Sequence, residues 1–356
     1  MLVSYAVYDN RGEKGRSVLK ILTGTPGGTF DKFGRALADA IGQQNKNDSL
    51  PFHVDIDPTD GSMDNCKKLQ DHAKSTMSES IPTLAVLGQI AVGSLSGHPC
   101  VGEIALVAPL YPALLYLAVR DYEPIIQGAG SGPNASVDGR QQSEVCSILR
   151  GLKSIYIGKP ESGTLIMADS ILKTCQIPSA ITRVEDLSYE QAVARLTKPE
   201  PGDVDAAFFV LPSNSDLINT LDSSSSGICF VPVPLQALED LEGLFHDAPP
   251  VLAGSYSNYL EEKYAAEEPK RRVCGKTQKA VYESVFSLAF LVTTKGAPES
   301  IVETALDTIY QHSSDQLFVY AKAQEIMQKL HGWGEIQIHG AAVKYYLRPA
   351  GPPALH

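Results

Sequence analysis

An α/β fold in two lobes, each a mixed sheet flanked by helices, is expected for this chain, and three observations carry the expectation. Residues 18–88 read strand–helix–strand–helix–strand, the order of a parallel sheet covered by helices. A second alternating run begins at Ser154. Both runs open alike, with an apolar segment, a glycine and hydroxyl turn, and then a helical pattern. The first is Ile21-Leu22-Thr23-Gly24-Thr25-Pro26-Gly27-Gly28-Thr29-Phe30 and the second Ser154-Ile155-Tyr156-Ile157-Gly158-Lys159-Pro160-Glu161-Ser162-Gly163-Thr164. At 356 residues the chain is long enough for two domains of ordinary size.

Each element follows from local pattern. Residues 18–23 are an apolar strand, and Phe33, Leu37 and Ile41 recur at helical spacing within 30–41. Residues 52–56 alternate as a strand, and a second helix opens at 61–65 with Ser62 as its N-cap. Residues 83–87 form a strand running into Gly88 and Gln89, and the glycine- and serine-rich 90–102 a loop. The uncharged stretch 104–119 holds Pro109 and Pro112 and is too short to span a membrane comfortably. It reads as two buried strands, 104–107 and 114–119, around a turn. The polar 121–150, with Gly128, Gly130, Gly132, Pro133 and Asn134, reads as an exposed loop. Beyond it, strands at 154–158, 180–184, 205–211 and 227–232 alternate with helices at 163–175, 188–196 and 213–221, and Ser188 with Gln191 offers a capping box. Residues 255–280 are charged and irregular, 285–294 form a strand, 300–310 and 316–330 form helices, and 349–356 is expected to be a disordered tail.

Composition narrows the function classes. Hydrophobic content of 43% with 20% charged residues belongs to a globular protein. A net charge of −11 argues against nucleic acid and anionic membrane surfaces as partners, so any affinity for an anion must be built locally. The six cysteines, at 66, 100, 146, 175, 229 and 274, lie too far apart for a CxxC-type zinc or redox motif. They read as small buried residues, with one or two disulfides open if the protein is exported. The first residues do not make a signal peptide, which leaves a protein working inside the cell or one whose leader has been removed.

The two turns carry the chemistry. Each would present free backbone N–H groups at a helix N-terminus, where an anion or polar oxygen is favoured. Gly28-Thr29-Phe30 is not the Gly-Lys-Ser/Thr of a nucleotide-hydrolysing loop, and no G-x-G-x-x-G is present there. What remains is a tight glycine turn with the Thr25 and Thr29 hydroxyls available. Taken singly, each turn is equally a sterically forced strand–helix connection, and Ser162 needs no ligand to act as a cap. Their recurrence at equivalent places points to one small polar ligand. Phe208 and Phe209 lie on opposite faces of a strand, one in the core and the other able to line a cleft at the strand's end. None of the eight histidines sits in a nucleophile or metal motif, a His98–Cys100 pair is the weakest of candidates, and Trp333 reads as packing. No catalytic residue, cofactor or metal is expected.

A family resemblance covers residues 20–347. Leu22-Thr23-Gly24-Thr25-Pro26-Gly27-Gly28-Thr29-Phe30 with Gly34, Thr59-Asp60-Gly61-Ser62-Met63-Asp64-Asn65, Leu84-Ala85-Val86-Leu87-Gly88-Gln89, and Leu110-Tyr111-Pro112 with Leu117-Ala118-Val119-Arg120 come first. Ile157–Thr164, Asp205-Ala206-Ala207-Phe208-Phe209 and Ile338-His339-Gly340-Ala341-Ala342-Val343-Lys344-Tyr345-Tyr346 follow. In this order they resemble the TAXI-type solute receptors of TRAP transporters. The resemblance implies a type II periplasmic-binding-protein fold with a ligand cleft between the lobes. Lobe 1 would be 18–121 with 285–348, lobe 2 would be 122–284, and hinges would lie near 120–124 and 280–286. It further implies a small carboxylate or amino-acid ligand, a monomer, and delivery to TRAP membrane subunits. The protein would be periplasmic if a leader was removed and cytoplasmic otherwise. Carried over by position, the site is Gly24, Thr25, Gly28, Thr29, Phe30, Ser62, Gln89 and Tyr111 from one lobe, and Ser162, Gly163, Thr164 and Phe208 or Phe209 from the other. Asp31 and Glu161 depart from the family's pattern. Facing the cleft they would repel a dicarboxylate and favour an amino group, and otherwise they are helix-start charges matched to the dipole. The alternatives are a ligand-sensing module of a regulatory protein and a two-lobed enzyme of the pyrimidine-precursor synthase type.

Overall fold

The computed structural model describes residues 17–48, 52–74, 81–88, 100–120, 137–198, 204–212, 215–223, 227–233, 270–274, 280–282, 284–311, 327 and 336–347. The chain forms two compact units. Unit 1 draws its described residues from Met1–Leu87, Leu95–Tyr111 and Phe290–His356, and unit 2 from Gly88–Ser94 and Pro112–Ala289.

Unit 1 begins as the alternating pattern requires: β1 (Ser17–Leu22), α1 (Thr29–Asp48), β2 (Phe52–Asp57), α2 (Ser62–Lys74) and β3 (Thr83–Gly88). Strand β1 pairs in parallel with β2, Ser17 opposite Phe52, and with β3, Lys20 opposite Thr83. Parallel neighbours joined through helices need both faces covered, and Leu19, Ile21, Leu84 and Val86 are fully buried along with Phe33, Leu37 and Ile41 of α1. Helix α2 starts at Ser62, so Gly61 stands at its cap and Ser62 is the first helical residue.

The stretch 104–119 is one continuous strand, β4 (Ile104–Val119), where two strands around a turn are expected. Proline breaks a ladder by lacking an N–H, yet its fixed φ is extended, and it holds the residue before it extended too. Pro109 and Pro112 therefore sit inside the strand without turning it. They fall between Ala105–Leu106 and Leu114–Val119, the segments with parallel and antiparallel partners respectively. The strand passes from unit 1 to unit 2 between Tyr111 and Pro112.

Unit 2 contains α3 (Val137–Arg150), β5 (Ser154–Tyr156), α4 (Gly163–Thr174), β6 (Thr182–Val184), α5 (Tyr189–Thr197), β7 (Ala206–Leu211), α6 (Asp216–Ser223) and β8 (Cys229–Val231). Helix α3 corrects the loop expected over 121–150. Val145, Ile148, Leu149 and Leu152 recur at helical spacing and are buried, beneath a composition polar enough to hide them. The Ser188 capping box forms as expected, with the Ser188 side chain on Gln191 N and the Gln191 side chain on Ser188 N. Within the unit β4 runs antiparallel to β7 and to β8, while β5 pairs in parallel with β7 and β6. Leu115, Leu117 and Val119 fill one face of this sheet, and Leu114, Tyr116 and Ala118 the other. A small ladder of β9 (Lys270–Arg271) and β10 (Ala280–Val281) follows.

Strand β11 (Phe286–Thr294) returns the chain to unit 1, which α7 (Glu299–Gln311), β12 (Gln337–Ile338) and α8 (Gly340–Tyr346) complete. His339 caps α8. Its Nδ1 accepts from Ala341 N at 3.2 Å while Nε2 lies 3.2 Å from the Ala297 carbonyl. Only a neutral ring with the proton on Nε2 satisfies both, and burial lowers the His339 pKa from its ordinary value. His72 is lowered too, first by burial and then by Lys20. A folded-state pKa below the unfolded one gives stability that is complete above the unfolded value, about 6.5, and is lost as pH falls through the folded one. Replacing His339 with Asn, which keeps an acceptor without a titration, is expected to flatten the loss of stability between pH 7 and pH 5. Urea midpoints at the two pH values check it.

All six cysteines are paired: Cys66–Cys100 in unit 1, and Cys146–Cys175 and Cys229–Cys274 in unit 2. This corrects the reading of them as isolated buried residues with at most two bridges. The expected helix at 316–330, apart from Met327, and the tail 349–356 lie outside the described residues.

Candidate functional site

The loop between β1 and α1 is a proline turn. Gly28 N donates to Thr25 O at 2.9 Å, Pro26 takes the second position, and Gly27 takes the third with φ 79°, which gives a type II turn. Gly28 then caps α1, its carbonyl accepting from Lys32 N at 2.9 Å. Glycine is required at 28 because a Cβ there would stand 2.9 Å from the Thr25 carbonyl oxygen. Among the described residues the Thr25 and Thr29 hydroxyls have no hydrogen-bond partner.

The loop between β5 and α4 repeats this design. Ser162 N donates to Lys159 O at 3.2 Å, Pro160 takes the second position, and Glu161 the third with φ 63°. Ser162 caps α4 by accepting from Leu165 N at 3.2 Å. Gly24-Thr25-Pro26-Gly27-Gly28 and Gly158-Lys159-Pro160-Glu161-Ser162 are thus equivalent, each a proline turn delivering the chain onto a helix cap. Glu161 stands where the first turn has glycine, in a left-handed conformation that side chains disfavour. Glu161→Gly is expected to stabilise unit 2 by about 0.5–1 kcal/mol, the relief of strain less the added freedom of the unfolded chain. Chemical denaturation measures it.

Asp31 answers one of the two questions the acids raise. It is buried, accepts from Gly27 N at 3.0 Å and from Thr23 Oγ1 at 3.4 Å, and pairs with Arg35 Nε at 2.9 Å. Its hydrogen bond and charge hold the Arg35 guanidinium above its usual pKa. Asp31 is therefore a helix-start charge turned onto its own loop, with its charge matched by Arg35.

Beneath this turn lies a buried polar knot that the sequence reading left outside the site. Asn65 Nδ2 donates to Thr23 O at 2.6 Å and to Val86 O at 2.8 Å. Thr59 Oγ1 donates to Thr23 O at 3.2 Å, and Thr59 N to Gly24 O at 3.4 Å. These bonds tie the ends of β1 and β3 to the start of α2. Asn65 belongs to the quoted Gly-Ser-x-x-Asn segment, so the signal was present, but spacing does not reveal which carbonyls it reaches.

The remaining expected residues are distributed as follows. Gly24 is buried, and a Cβ there would stand 3.0 Å from Phe30 Cβ. Thr29 and Phe30 open α1, and Gly163 opens α4. Ser62 is buried, and Tyr111 is buried with its ring 6.2 Å from Phe33. Thr164 is buried, its Oγ1 2.5 Å from the Tyr189 hydroxyl. Phe208 and Phe209 are both fully buried, one in the core on each face of the unit 2 sheet, because helices cover both faces. Gln89, His98 and Trp333 lie outside the described residues. Cys100, bonded to Cys66, holds no nucleophilic thiol. Among the described residues no group of three His, Cys, Asp or Glu could hold a metal ion, and no helix is long and apolar enough to cross a membrane.

No protein-family model matches the chain, and no curated protein matches it in sequence. Solved structures do match. MatC from Rhodopseudomonas palustris with bound malate aligns at 14% identity and TM-score 0.51, over 90% of this chain and 99% of that one. The fold is that of the periplasmic solute-binding proteins. The periplasmic binding protein BugD aligns at 11% identity and TM-score 0.48, over 90% of this chain and 96% of that one. An R. palustris protein with adipate aligns at 16% identity and TM-score 0.46, over 86% of each chain. In a periplasmic-binding-protein fold the two equivalent proline turns are strand-to-helix connections at the carboxyl ends of strands, where open α/β sheets hold their ligands.

Proposed function

We propose that this protein is a solute receptor of the TAXI type, which captures a small organic acid or amino acid and delivers it to the membrane subunits of a TRAP transporter. The observation that carries the reading is the repeated proline turn, one in each unit, ending on the N-terminus of α1 and of α4. Such a turn gathers backbone donors and the positive end of a helix dipole at one point, which suits a carboxylate. The ordered motifs of the sequence support the TAXI assignment, and the malate held by MatC supports an acid as ligand. The proposal assigns the protein to a compartment outside the cytoplasm, since three disulfides persist where the surroundings are oxidising. It takes the protein to act as a monomer without catalysis.

The test is thermal shift and calorimetry with L-malate, succinate, adipate, 2-oxoglutarate, L-glutamate and L-leucine. At about a hundredfold excess over its Kd, a ligand adds about 2.7 kcal/mol to the folded state, a shift of several degrees. Thr29→Val in unit 1 and Ser162→Gly in unit 2 are each expected to weaken the same acid about tenfold. Glycine caps a helix nearly as well as serine, so the second variant separates binding from stability. If no acid or amino acid shifts the wild-type protein, the receptor reading is wrong.

A further inference from the structure

We propose that Tyr189 is a positioning residue of the unit 2 turn, fixing the Thr164 hydroxyl as a hydrogen-bond donor toward the carboxylate of a bound acid. The inference rests on the receptor reading above. It follows from the direction of protons. A backbone N–H can only donate, so the 3.4 Å contact from Val210 N makes the Tyr189 oxygen an acceptor. The phenol's own proton then needs an acceptor, and the hydroxyl is withdrawn from water, which raises its pKa. Among the described residues that acceptor is Thr164 Oγ1 at 2.5 Å. If Thr164 donated instead, the phenol proton would have no acceptor among the described residues.

With Tyr189 as donor, Thr164 accepts inward and keeps its own proton for a partner beyond this pair. Ser162 is in the same condition, its Oγ already accepting from Leu165 N at 3.2 Å. The two side chains flank one glycine, since a Cβ on Gly158 would stand 2.8 Å from Thr164 Cβ and 2.9 Å from Ser162 Oγ. The N–H groups of Gly163 and Thr164, in the first turn of α4, have no acceptor within the helix. The hydroxyls of Ser162 and Thr164 and the first-turn N–H groups therefore offer protons, which a carboxylate satisfies. Tyr189, reaching Thr164 from α5, sets that polarity.

The test is a double-mutant cycle on the intact chain, with Kd read by calorimetry for L-malate, succinate, adipate, 2-oxoglutarate and L-glutamate. Tyr189→Phe is expected to weaken the tightest of these about tenfold, and Thr164→Val by at least as much, while Thr164→Ser binds within about threefold of wild type. In the Thr164→Val background, Tyr189→Phe is expected to change the Kd by less than about twofold, because its action passes through the Thr164 hydroxyl. An unchanged Kd in Tyr189→Phe, or a full loss that persists in the Thr164→Val background, overturns the proposal. Should Tyr189→Phe not fold, equal binding by Thr164→Val and Thr164→Ser overturns it alone. Binding of none of these acids by the wild type removes the receptor reading itself.

Discussion

Opening its disulfides is expected to unfold this protein, and unit 2 before unit 1. The bridges close chain separations of 34, 29 and 45 residues. In the chain-entropy account a loop of this size is worth about 4 kcal/mol, and native bridges commonly deliver about 2–4. Three of them together rival the whole stability of an ordinary domain, about 5–15 kcal/mol. Unit 2 holds two bridges and unit 1 only one, so reduction removes more from unit 2. Urea unfolding followed by circular dichroism, with and without dithiothreitol, should show the midpoint collapse once thiol titration confirms complete reduction. Paired alanine variants at 66 and 100, at 146 and 175, and at 229 and 274 apportion the loss. A fully reduced protein with an unmoved midpoint would show that the folded cores alone suffice.

Asn65→Ala is expected to destabilise unit 1 by about 2–4 kcal/mol, although the side chain removed is small and polar. Its amide is fully buried and gives one proton to Thr23 O and one to Val86 O. Thr23 O keeps a bond from Thr59, while Val86 O loses the bond from Asn65, and removing one partner of a buried hydrogen bond costs about 1–3 kcal/mol. The cavity and the loosened α2 add to that. Asn65→Asp should be worse, because a carboxylate would face two carbonyl oxygens with no proton to offer. Equilibrium denaturation checks both, and a change under about 0.5 kcal/mol for the alanine variant, within the range of neutral surface substitutions, would show the knot to be dispensable.

The periodic elements were legible because burial leaves a record in residue spacing. Phe33, Leu37 and Ile41 mark α1 plainly, and Ser188 with Gln191 marks the start of α5. Helix α3 is hard to read in sequence because its polar residues outnumber the apolar stripe of Val145, Ile148 and Leu149. Strand β4 reads as two because proline reads as punctuation, whereas two prolines that need no ladder N–H can continue an extended chain. Both turns are legible in the sequence, but their shared proline design is not, since Glu161 conceals the match to Gly27. Contacts between residues distant in the chain, such as Thr164 with Tyr189 and Asn65 with Val86, leave no trace in spacing at all.

The order in which the cysteines pair bears on how the molecule is made. Each bridge joins a cysteine to the next one along the chain: 66 with 100, 146 with 175, 229 with 274. If each pair closes as its second cysteine emerges, a nascent polypeptide offers no free wrong partner to the next, and oxidation can proceed in step with synthesis without reshuffling. The units differ in this respect from the bridges. Unit 2 is nearly complete once Ala289 has appeared, while unit 1 waits for the final stretch from Phe290 onward. The middle of the chain can thus be oxidised and folded while its first residues still lack the strand and helices that will cover them.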